Sequence, residues 1–162
     1  MRLINHTTYS SECIRALVLL VARDEGMTTK QLDTLHVDVE YVRSRGVRHD
    51  RWGKGRLTTN AGRRQQAHRS GLWYNRFILR ISRHSKCAQA MLHWYAGAVA
   101  HEIAECMGHP HVWMKSRAIP GRYLYGRKKG EYWKPLVAAL PPLLDPSQAL
   151  VLPSEHGQET AA

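Results

Sequence analysis

One short run in this 162-residue chain combines residue type and spacing in a way that suggests chemistry: His101-Glu102-Ile103-Ala104-Glu105-Cys106-Met107-Gly108-His109-Pro110-His111. On a helix, His101 and Glu105 project from one face about one turn apart. That is the spacing at which two side chains can hold one metal ion. Glu102 adjoins the first ligand position, where a carboxylate can polarise a metal-bound water. Gly108 lets the chain turn sharply, so His111 can swing back as a third ligand. Three protein ligands and one open position make up a catalytic zinc site. Glu105 contributes an acceptable zinc ligand atom. Its negative charge lowers the Lewis acidity of the ion and leaves another divalent metal open. The competing interpretation is a solvated His-Glu pair on a helix surface.

The motif resembles that of the zincin metallopeptidases, HExxH on a helix, and its extended metzincin form HExxHxxGxxH. Here it reads HExxExxGxxH, with Glu105 where the second histidine belongs. The opening Asn5-His6-Thr7-Thr8-Tyr9-Ser10, followed by Arg15-Ala16-Leu17-Val18, is similar to small SprT-like zincins of phages and bacteria. The resemblance spans roughly residues 5 to 115. It implies His101 as first ligand, Glu102 as the general base and acid, Glu105 as second ligand and His111 as third. In SprT-like proteins the third ligand lies further downstream, which makes His109 or Glu131 the alternatives, with Cys106 and His109 as a further CxxH pairing. Met114 is too close to serve as a metzincin methionine turn. The resemblance implies a zinc peptidase that digests proteins on or near nucleic acid, with strand 72–82 binding an extended peptide by edge pairing.

Two other readings compete. YbeY-type endoribonucleases carry H-x3-H-x5-H, and His101, Glu105 and His111 reproduce that spacing with one replacement. That motif lacks the adjacent glutamate, so Glu102 favours the peptidase. The third reading is a degenerate zincin-fold nucleic-acid-binding protein without catalysis, its histidines structural.

The elements that must position these residues follow from periodicity. Ile14, Leu17, Val18 and Val21 fall on one face of a helix over residues 10–25, capped by Ser10 or Ser11 and stopped by Gly26. Residues 36–43 alternate as a half-buried strand, with Val37, Val39 and Tyr41 on one face. Residues 72–82 make a second strand, Phe77, Leu79 and Ile81 pointing one way, Arg76 and Arg80 the other. Residues 87–107 read as the long motif helix, with Leu92, Tyr95, Val99, Ile103 and Cys106 as its stripe, ended by Gly108 and Pro110. A short helix follows around residues 132–140. The expected fold is α+β and zincin-like: an N-terminal helix, a small mixed β-sheet with an edge strand, then the motif-bearing helix. One domain over residues 1–144 and a polar, flexible tail over residues 145–162 complete the organisation.

Charge points to a partner. Lys plus Arg is 24 against 13 acids, a formal charge of +11, which suggests a polyanion. Residues 43–86 hold thirteen of the cations and one acid, Asp50. Within the basic loop of residues 43–71, Arg48, Arg51, Trp52, Lys54, Arg56, Arg63 and Arg64 are the expected DNA or RNA contacts. An aromatic among cations suits base stacking combined with phosphate contact. The apolar run Ala16–Ala22 is too short to span a bilayer, so no membrane partner is expected. No signal peptide is recognised before it. Three cysteines without CxxC spacing suggest a reduced, cytoplasmic setting.

Overall fold

The computed structural model describes residues 1–42, 57–59, 66–67, 73–116, 119–125 and 128–144. Its first strand, β1 (Arg2–Asn5), leads into helix α1 (Ser11–Asp24). The Ser10 side chain accepts a hydrogen bond from Cys13 N and satisfies one of the orphan donors of the first turn. The four periodic residues Ile14, Leu17, Val18 and Val21 are all buried. Each contributes roughly 1.5–3 kcal/mol relative to an exposed position. A short helix α2 (Thr29–Asp33) follows, started by a reciprocal capping box between Thr28 and Gln31. The chain then returns as β2 (Leu35–Tyr41), parallel to β1 with Arg2 opposite His36 and Asn5 opposite Val39.

Two short strands, β3 (Leu57–Thr59) and β4 (Gln66–Ala67), precede the long strand β5 (Trp73–Ile81). β5 runs parallel to β2, with Leu35 opposite Asn75 and Tyr41 opposite Ile81. On its other side it pairs antiparallel with β3 and β4. The fold is mixed α and β, with three parallel strands in the order β1-β2-β5 and the antiparallel β3 and β4 beyond β5. Val37, Val39, Phe77, Leu79 and Ile81 turn one face of that sheet into a core shared with α1 and the motif helix.

The motif segment is two helices, α3 (Ser85–Ala90) and α4 (Leu92–Cys106), and Met91 caps the end of the first and the start of the second. In α4, Tyr95, Ala96, Ala98, Val99, Ala100, Ile103 and Ala104 are buried, so the helix is enclosed nearly all round its middle. Its alanines are the consequence: neighbours approach closely on every side. Helix α5 (His111–Ser116), a 3-10 turn at Glu131–Trp133 and helix α6 (Lys134–Val137) complete the described elements. Gly130, at φ 75°, lies against α4 so closely that a Cβ there would meet His93 O at 2.5 Å. Only glycine supplies both that φ and that approach.

The segment around residue 122 is tied to the end of α1 by a closed polar network. Arg122 Nε donates to Glu25 Oε1 at 2.7 Å, and its Nη2 donates to Asp24 O at 2.8 Å. Tyr123 Oη donates to Glu25 Oε2 at 2.9 Å, and Trp133 Nε1 donates to Arg122 O at 2.6 Å.

Several expectations change. The expected edge strand is not open along Phe77–Leu79, which face β2 on one side and β3 on the other. An extended peptide therefore cannot add to that stretch. The basic segment of residues 43–71, expected to be loop throughout, contributes β3 and β4. The single helix expected over residues 87–107 breaks at Met91. Strand β1 and helices α2 and α5, each four to six residues long, carry too few residues for a period to show. The tail of residues 145–162 lies outside the described residues.

Candidate metal centre

The last turn of α4 carries His101, Glu102 and Glu105, and the way that helix stops brings His111 to them. His109 N donates to Ala104 O and Gly108 N to Glu105 O, both at 2.9 Å, with Gly108 at φ 86°. This is the paired C-terminal closure that a left-handed glycine permits. The chain reverses there, and α5 opens directly on His111.

His101, Glu105 and His111 each offer one ligand atom, and these atoms lie within 4.8 Å of one another. His101 Nε2 is 3.4 Å from Glu105 Oε1, and His111 Nε2 is in direct contact with the same oxygen. Two imidazole nitrogens and a carboxylate oxygen thus converge, and the group could bind a metal ion. Donors of this kind suit zinc and other borderline divalent ions. The rings of His101 and His111 are 4.9 Å apart between centroids.

Local electrostatics favour the ligand-ready form of His101. Burial, the largest influence, lowers the His101 pKa, and His111 lowers it further, against a raising effect from Glu105. A neutral imidazole keeps its lone pair for a metal. Glu102 is 2% exposed, and its Oε2 has no hydrogen-bond partner among the described residues. Burial first, then the Glu105 charge, pushes its carboxyl up to about 8. An orphaned buried carboxyl beside three converging ligand atoms is costly to the fold. Cys106 is pushed up to about 12 by burial and by Glu102 and Glu105, so it remains a thiol.

The alternative third ligands stand apart from this group. His109 stacks on Trp113, centroids 3.7 Å apart and rings 10° from parallel. Glu131 is exposed and pairs with Lys134 at 2.9 Å. Of the expected nucleic-acid contacts, Arg48, Arg51, Trp52, Lys54, Arg56, Arg63 and Arg64 lie outside the described residues.

Two residues beside the cluster escaped the sequence reading. The Tyr125 ring is 5.4 Å from that of His101 and 6.3 Å from that of His111. Lys115 Nζ lies 5.3 Å from the centre of the Tyr125 ring. Nothing in the spacing of a tyrosine fourteen residues after His111 signals this approach. The Arg122 anchor, three residues before Tyr125, produces it.

No helix among the described residues is long and apolar enough to cross a membrane. No family model, curated protein or solved structure matches this chain.

Proposed function

We propose that the protein is a metal-dependent peptidase of zincin type, holding zinc through His101, Glu105 and His111. The observation that carries this reading is the convergence of those three ligand atoms within 4.8 Å, beside the orphaned carboxyl of Glu102. A bound divalent ion would supply a more acidic water and a polarised carbonyl. Glu102 lies about 60° around α4 from Glu105, on the core side of the ligand pair. There it takes the proton from the attacking water and returns it to the leaving amine. Burial raises its pKa in the metal-free protein, and the charge of a bound divalent ion would lower it again toward the range of a general base. Closure of the core around Glu102 keeps bulk water from competing for the proton. The chain's +11 charge and the thirteen cations of residues 43–86 support action on or near nucleic acid. DNA binding that falls steeply with added salt is the expected outcome there.

The ribonuclease reading shares the same three ligands but leaves Glu102 without a role, so the buried carboxyl favours the peptidase. A casein-versus-RNA cleavage assay separates them. Glu102→Gln should keep its metal and lose roughly 10²–10⁴-fold in peptide cleavage, since an amide cannot accept the water's proton. Unchanged cleavage by Glu102→Gln, or cleavage of RNA alone, contradicts the peptidase.

A further inference from the structure

The side of the cluster formed by α5 and Tyr125 has a composition that ligand-holding does not explain. Tyr125 stands against both histidine rings, at 5.4 and 6.3 Å. Its phenol, protonated at neutral pH, is a hydrogen-bond donor. Lys115, one turn along α5 from His111, holds its ammonium over the Tyr125 ring at 5.3 Å. Such a contact fixes an otherwise flexible cation. No carboxylate among the described residues pairs with the exposed Lys115, whereas Lys134 pairs with one and Arg122 with two. An ammonium and a phenol donor therefore sit together beside His101 and His111, and no salt bridge among the described residues holds the ammonium.

We propose that Lys115 and Tyr125 form a wall of the site that receives a carboxylate of the substrate, so that acidic peptides are preferred. The inference rests on the peptidase reading. Lys115 supplies the charge, and the Tyr125 hydroxyl donates to one carboxylate oxygen. A bound divalent ion would offset the Glu105 charge that would otherwise repel an acidic substrate. The wall then decides which anion enters.

Two small metal-binding probes test this without relying on turnover. Succinic monohydroxamate carries a terminal carboxylate. Butyrohydroxamate has the same chain length with a methyl group instead. Calorimetric titration into the zinc-loaded full chain should show the charged probe binding up to about fivefold tighter, the upper value of an exposed ion pair. Lys115→Gln should abolish that preference while zinc stoichiometry holds, and Tyr125→Phe should reduce it. Equal binding of the two probes by the wild type overturns the proposal, as does a preference that survives Lys115→Gln. Displacement of butyrohydroxamate by oligouridylate more strongly than by a glutamate-containing peptide also overturns it, assigning the wall to phosphodiesters. The two readings fail separately. A probe preference without peptide cleavage removes the peptidase and keeps the anion wall. Cleavage that is equal for glutamate and glutamine peptides, with equal probe binding, does the reverse.

Discussion

Two polar clusters of this molecule use the same residue types to opposite ends. At the end of α1, Arg122 meets Glu25 and Asp24 in a buried network where each charge has its partner: Nε to Glu25 Oε1 and Nη2 to Asp24 Oδ2, both at 2.7 Å. At the end of α4, His101 and His111 crowd one oxygen of Glu105, while one buried oxygen of Glu102 has no partner among the described residues. The first cluster is closed and full. The second has converging lone pairs, few protons to share among them and a half-exposed rim. A strut satisfies itself, whereas a binding site leaves something for the ligand to satisfy.

The largest effect that would sharpen this contrast is expected at the strut. Arg122→Ala leaves the Glu25 carboxylate buried without its cation, and should cost about 3–5 kcal/mol. Urea unfolding in the presence of a chelator measures it. His101→Ala under the same conditions should change stability by less than about 1 kcal/mol, since Glu105 keeps its contact with His111, whose side chain is 55% exposed. Similar losses in the two variants would erase the distinction between strut and site.

Next in size is a pH effect at Glu102. Its folded pKa, about 8, is raised from 4.5, so the folded metal-free protein holds this proton more tightly than the unfolded chain. The stabilisation is complete below about 4.5 and is lost as pH rises through about 8. The expected loss is on the order of 3 kcal/mol after relaxation of the site. Glu102→Gln is neutral at every pH and should lack this component. Comparing unfolding of the two metal-free proteins at either end of that range isolates it from other titrating groups. Parallel pH profiles would mean that Glu102 is not held in the core.

The smallest effect is expected from Glu105→His. It restores HExxH at the same helical position, and a neutral imidazole leaves more positive charge on the ion. Zinc affinity should equal or modestly exceed that of the wild type in a chelator competition. A marked loss would show that the negative charge between His101 and His111 is itself what holds them together.

Local features were the legible ones. The buried stripe of α1 and the inward run Phe77, Leu79 and Ile81 follow from period alone. His101 and Glu105 are set by one helical turn, and His111, six residues beyond Glu105, by the glycine stop at Gly108. What stayed hidden is non-local. Arg122 and Glu25 lie 97 residues apart, and no pattern near either announces the other. The central position of β5 depends on β3 and β4, brief strands inside a segment of irregular, basic composition. Tyr125 reaches His101 and His111 because the Arg122 anchor and Gly130 hold their segments against α1 and α4. A sequence window contains neither contact.

The central claim is that His101, Glu105 and His111 make one metal site. Zinc titration of the chelator-treated full chain, beside His101→Ala and His111→Ala, tests it most directly. One ion per chain is expected for the wild type, with affinity falling by at least about 100-fold in each variant, since a lost ligand exceeds the effect of a lost supporting contact. No zinc uptake by the wild type, or equal uptake by wild type and His101→Ala, would contradict it.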